Sequence, residues 1–315
     1  MEHKTIAYLL LVFLPALSIA QSKTVEISLK SVDNYFAKAY NQVGTEQSTD
    51  LSGFQGIPDY LVERVIRFSN TVRGQSKFEE YQMGKLTPAE WEKAKASCAC
   101  DTTALSPAPL KQRINTLVGT DKQGRRVVIV DANNNQNFSD DRVLRYPMTL
   151  PTIERYKNGF YTHSIHAVYD TLPAVRVQIE AFDGKKIIPR YVWVKPNPYN
   201  SGWTYLNPIE NQFHLTLLAH EYRSGNGILR GKPVYFIVTS GTAGLPYSSP
   251  MATIEIRQDP QALSSALGKP EYRIGQSFIL DNHRIEITRI SLQGDKLLLT
   301  DKGLANATIS KPAEK

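Results

Sequence analysis

Between Asp131 and Asp141 the chain reads "DANNNQNFSDD", a stretch in which almost every residue carries a side-chain oxygen or turns the backbone easily. Oxygen donors at alternate positions of a tight turn suit a hard cation, because every second side chain then points at one centre. With Asp131 as the first position, Asn133 is the third and Asn135 the fifth, which are the short side-chain ligands of an EF-hand-type calcium loop. Asn137, the seventh, would supply its backbone carbonyl, and Phe138 would anchor the loop to the core. Asp140 or Asp141 would close the shell. Asn and Asp also tolerate the left-handed backbone that such a turn uses.

The pattern departs from a standard loop. Gln136 occupies the position usually held by Gly, and Arg142 the position of the bidentate Glu. The preceding "VVIV" is a strand rather than a helix. Only three of the candidate side chains are charged, which predicts weak affinity, in the ~10⁻⁴–10⁻³ M range of extracellular sites. The alternative is an Asn-rich turn held by its own Asx hydrogen bonds, with no ion. A filled site would pin structure, since oxygen-only ligation without an adjacent base supplies no catalytic step.

Other chemistry has thinner support. Cys98 and Cys100, the only cysteines, could form a redox dithiol, half of a thiolate metal site or a local disulfide. "HSIH" on a strand would send His163 and His166 to opposite faces. His214 and His220 would share a face but lie six residues apart, and "AHEY" lacks the second His of a metalloprotease helix. "TSGTAG" and "SGNG" match neither a nucleophile elbow nor a phosphate loop, and read as turns. No catalytic residue or cofactor-binding residue is assigned.

The elements that must position the loop are mostly strands. "TVEISL" opens as a strand and "VDNYFAKAY" as a short helix. "IPDYLVERVIRFSNTVRG" spaces Leu61, Val65, Phe68 and Val72 as a helix would, with a strand pair as the competing reading because of its β-branched residues. "LTPAEWEKAKAS" is a helix with a Thr87–Glu90 capping box and Pro88 at its first position. From about residue 111 the texture becomes β: alternating strands turn at "DKQG", at Asp183-Gly184, at Asp281-Asn282 and near Gly294-Asp295. The fold class predicted is mainly β, antiparallel sandwich or barrel-like sheets with a smaller α-containing N-terminal part. The predicted division is 1–20 signal peptide, 21–110 mixed α/β segment, 111–302 β-rich domain holding the 131–141 loop, and 303–315 disordered tail.

The first twenty residues combine Lys4, an apolar stretch and small residues at Ser18 and Ala20, the layout of a secretory signal peptide. No later stretch is apolar for long enough to span a bilayer, so no transmembrane anchor is expected after cleavage. The net charge of +7 is spread among acids rather than massed, which argues against a nucleic-acid face. Two cysteines are too few for a disulfide-built fold, so the core must carry stability.

Three stretches, "DKQGRRVVIVDANNNQNFSDD", "HEYRSGNGILRGKPVYFIV" and "YRIGQSFILDNHRIEITRISLQGDKLLLTDKG", resemble the β-rich N-terminal region of secreted bacterial envelope proteins that continue into a thioredoxin-like thiol–disulfide oxidoreductase domain. The resemblance covers roughly residues 110–302. It implies a periplasmic or exported β module in which the Asp131 loop recurs. No Trp-Cys-x-x-Cys occurs, so redox activity does not carry over. The expectation is a secreted or periplasmic, non-enzymatic binding or accessory protein with a structural calcium loop and a protein or glycan ligand in the envelope. The alternatives are an envelope hydrolase with a dispersed site, or a redox accessory using Cys98 and Cys100.

Overall fold

The computed structural model describes residues 23–33, 42–98, 102–148, 172–199, 212–241, 244–258 and 271–305. The signal-type segment, the 34–40 part of the "VDNYFAKAY" helix, His163 and His166 lie outside them. The described chain is mainly β, in four antiparallel sheets with a small helical part, as the alternation of the sequence predicts.

Strands β1 (Lys23–Ser28) and β2 (Lys30–Asp33) lead, followed by β3 (Gln42–Gly44), β4 (Glu46–Ser48) and β5 (Leu61–Asn70). A helical hairpin, α1 (Arg73–Gln82) and α2 (Pro88–Cys98), precedes β6 (Arg113–Asp121), β7 (Arg126–Val130) and β8 (Val143–Tyr146). Then come β9 (Val175–Phe182), β10 (Ile187–Asn197) and β11 (Thr216–Ala219). The remainder comprises β12 (Glu221–Leu229), β13 (Lys232–Thr239), β14 (Thr253–Arg257), β15 (Glu271–Tyr272), β16 (Ser277–Leu280), β17 (His283–Ile290) and β18 (Lys296–Leu304).

The sheets are β4-β5-β6-β7-β8 and β3-β11-β10-β9, then β2-β12-β13-β14-β15 and β1-β18-β17-β16. The first pair encloses one apolar core, including Ile114, Val128, Val177, Val192 and Leu217. The second pair encloses another, including Ile27, Phe236, Ile254, Ile287 and Leu299. Each is a two-layer sandwich in which inward side chains alternate with outward ones. We call them the inner unit (β3 to β11) and the outer unit (β1, β2 and β12 to β18). Arg190 of β10 joins them: it is buried and donates to the carbonyls of Gly244 and Leu245 at 2.6 and 2.5 Å. Burial lowers its pKa to about 10, so it stays charged at neutral pH. The chain therefore does not divide at 110/111: β5 pairs with β6 across that point and β1 pairs with β18. Nor does a tail begin at 303, because Leu304 is still paired, with His283.

The 61–70 segment is one strand and α1 begins at Arg73, so the helix expected over that stretch is corrected, and so is the strand pair. Its misleading period has a physical source. Both faces of β5 are covered, with Val65 in the inter-sheet core and Leu61 and Ile66 in a third cluster on the opposite face. A bulge between Leu61 and Glu63 shifts the alternation further. The "SGNG" stretch also corrects the expectation of a turn, since it lies within β12. A Cβ on Gly225 would come 2.4 Å from the Ser28 carbonyl, and one on Gly227 2.3 Å from Ile27. These glycines let β1 cross close to the sheet.

Local signals hold elsewhere. The Thr87 N–H donates to Glu90 at 2.8 Å and the Glu90 N–H to Thr87 at 3.3 Å, completing the capping box of α2. Asp281 and Asn282 adopt φ of 49° and 60°, the left-handed pair of a type I′ hairpin turn.

Candidate calcium loop

Strand β7, "RVVIV", is buried along its whole length because the third apolar cluster covers the face of the sheet turned away from the inner core. The loop that follows is therefore launched from a fixed platform. The Asp131 N–H donates to the Asn115 carbonyl of β6 at 3.0 Å. Phe138 is buried and stacks on Phe54 with ring centroids 5.5 Å apart. Around that anchor, the Gln55 N–H reaches the Gln136 carbonyl at 2.8 Å and the Phe138 N–H reaches the Gln55 carbonyl at 3.0 Å. On the far side the Ala132 carbonyl accepts the Gln178 N–H of β9 at 2.7 Å. The loop thus bridges both sheets of the inner unit.

Within it, the side chains bond to the loop's own backbone and to one another, with Asn133, Asn135 and Asp140 exposed. The two oxygens of Asp131 accept the N–H groups of Asn135 and Gln136, each at 3.0 Å. Asn133 Oδ1 accepts the Asn135 N–H at 3.2 Å, and Asn135 Oδ1 the Asn137 N–H at 2.8 Å. Asn137 Oδ1 caps the single 3₁₀ turn Phe138–Asp140 by accepting the Ser139 N–H at 3.1 Å. Asp140 Oδ2 accepts both the Asn133 and Asn135 amide N–H₂ groups at 3.0 Å. Asp141 Oδ1 accepts the Ala132 N–H at 3.0 Å. The named residues are brought together, with Asp140 on the amide groups and Asp141 beside Asp131.

Asn134 and Gln136 sit at φ of 56° and 63°. Gln136 thus holds the left-handed position where a standard loop uses Gly. Asn134, which the spacing rule passes over, is buried and donates to the carbonyls of Lys111 and Arg113 at 3.1 Å. Gln55 and Gly56 were also unmarked by the sequence, because a cradle supplied from a distant segment leaves no local pattern.

Charge is the unresolved feature. Asp131 is pushed above the usual carboxylate range by burial, although the N–H groups of Gln136 and Asn135 oppose this. Asp140 is held low by the Asn133 and Asn135 amides. Asp141 is pushed up to about 6, first by burial and then by the like charges of Asp131 and Asp140, against the Ala132 N–H. Its Oδ2 is fully buried with no hydrogen-bond partner. Each accepting amide oxygen keeps a second lone pair beyond the one its backbone N–H uses. Among the described residues no three of His, Cys, Asp and Glu form a metal-holding group. Any cation here would therefore depend on amide and backbone oxygens as well as carboxylates, the hard donor set that calcium takes.

A pH dependence follows. The folded carboxyl of Asp141 lies near 6 and the ordinary value near 4, so folding takes up a proton between those pH values. Without added cation, stability is then highest at the acid end of that window and falls as pH rises through 6. Asp141→Asn should raise the chelator-treated protein's melting temperature at pH 7 and leave it unchanged near pH 4. Equal shifts at both values would refute the account.

His214 is lowered to about 4, first by burial and then by the Arg67 and Arg126 charges, so it is neutral at physiological pH. Cys98 is disulfide-bonded and half-buried at the end of α2, and the sequence contains one other cysteine, Cys100, outside the described residues. No helix among the described residues is long and apolar enough to cross a membrane. The chain matches no protein-family model, no curated protein and no solved structure.

Proposed function

We propose that this chain is an exported accessory protein that acts by binding a protein or glycan in the envelope, and that calcium pins its 131–141 loop. The observation that carries the calcium reading is the buried, unpartnered Oδ2 of Asp141, which also feels the like charges of Asp131 and Asp140. A buried anion surrounded by like charge is costly, and a divalent cation relieves both the desolvation and the repulsion. Export is supported by the signal-like first twenty residues and by the likeness of residues 110–302 to envelope β modules. The ion's part is structural, since the loop joins two sheets and holds no base poised to use a bound water.

The test is thermal unfolding of the full chain with calcium and with chelator. For a site of ~1 mM affinity, 10 mM calcium should stabilise the protein by about 1.4 kcal/mol. Asp131→Asn keeps one oxygen for the backbone N–H groups but removes the charge, and should abolish the difference. Melting curves that ignore both calcium and the substitution would leave only a hydrogen-bonded turn.

A further inference from the structure

We infer that the protein is two copies of one strand topology, the inner nested in the outer, and that each copy is a cooperative folding unit of its own. The orders match strand for strand. In the outer unit β2 begins the five-stranded meander β2-β12-β13-β14-β15, and β16, β17 and β18 return to lie beside β1. In the inner unit β4 begins β4-β5-β6-β7-β8, and β9, β10 and β11 return to lie beside β3. Every pairing between these strands is antiparallel in both.

Detail at the start of each copy agrees as well. The chain passes from one sheet to the other through a single residue, Leu29 in the outer unit and Thr45 in the inner. The Leu29 N–H donates to the carbonyl of Asp295, the residue before β18, at 2.7 Å. Thr45 Oγ1 donates to the carbonyl of Leu215, the residue before β11, also at 2.7 Å. The same crossover is fastened at the same place.

The geometry of insertion is satisfied on both sides. Gln42 and Leu218, near the two ends of the inner unit, are cross-strand partners. Asp33 and Glu221, the outer residues flanking the insertion, are partners too. Antiparallel partners lie ~4.5–5.5 Å apart, so either unit can be closed without the other. A long insertion between paired strands costs the outer unit little, because closure entropy grows only with the logarithm of length. The copies have diverged in their loops: the two-residue turn Arg230-Gly231 of the outer unit corresponds to the α1–α2 hairpin of the inner one. The hairpin is therefore an elaboration of the inner copy.

The full-length chain allows a clean test, because Trp91, Trp193 and Trp203 all fall between residues 42 and 219 and the outer unit has no tryptophan. Leu217→Ala should shift the urea midpoint read by tryptophan fluorescence by about 1 M. It should also speed hydrogen exchange in β5 to β11 and leave β12 to β18 unchanged. Phe236→Ala should do the reverse. Val177→Ala and Val234→Ala repeat the comparison more gently if the larger truncations prevent folding. Loss of protection in both units from a substitution in either one would overturn the inference.

Discussion

Phe138→Ala should lower the stability of the inner unit by about 3–5 kcal/mol, the range for truncating a buried aromatic side chain. The side chain is 1% exposed and packs with Leu61, Ile66, Leu117, Val127 and Ile129 on the sheet face opposite the main core. Three losses combine at this position. The transfer energy of the ring goes, a cavity opens against β7, and the stack on Phe54 is lost. The third term couples to the loop, because Phe54 and Gln55 belong to the segment that holds Gln136 and Phe138 by backbone hydrogen bonds. Phe138→Leu retains most of the volume and should cost less than half as much. Urea unfolding followed by tryptophan fluorescence measures both. A loss for Phe138→Ala below about 1 kcal/mol would mean that the third cluster is not part of the cooperative core.

What the sequence disclosed and what it concealed follow from the range of the interactions. Asp183-Gly184, Asp281-Asn282 and the Thr87–Glu90 box were legible because each is decided within four residues by backbone sterics and capping. The hydrogen bonds that Asp131, Asn133 and Asn135 accept from the loop's own N–H groups were legible for the same reason, since such short side chains reach backbone a few residues on. Strand β5 was obscured because burial of both faces erases the two-residue alternation that marks a half-buried strand. Gly225 and Gly227 looked like turn residues, and only the passage of β1 above them explains their place in a strand. The nested arrangement is carried by β1 pairing with β18 and β2 with β12, contacts between distant parts of the chain that no local pattern encodes. The third carboxylate, Asp141, was named, but its buried and unpartnered oxygen depends on how Ala132 is held between two sheets.

Gly56→Ala should be the most damaging single-methyl change in the loop region, with a cost of ~3 kcal/mol or more and loss of any calcium response. Gly56 has φ of +67°, and a Cβ there would lie 2.3 Å from Asn137 Oδ1, 2.4 Å from the Ser139 backbone nitrogen and 2.7 Å from Ser139 Cβ. Backbone lies on the blocked side, so the clash cannot be relieved by rotating a side chain alone. The 3₁₀ turn Phe138–Asp140 must shift, carrying with it the Asn137 cap and the Asp140 carboxylate. Gly124 supplies the matched control. Its φ is +72° and a Cβ there meets nothing within 4 Å. Gly124→Ala therefore incurs only the left-handed backbone penalty, ~1–2 kcal/mol, in the same unit and under the same probe. The difference between the two variants in urea unfolding isolates the steric contribution of the cradle. Were Gly56→Ala to cost no more than Gly124→Ala, the 55–56 segment would be a loose neighbour of the loop, and the rigid positioning of Asn137 and Asp140 would have to come from the loop's own hydrogen bonds.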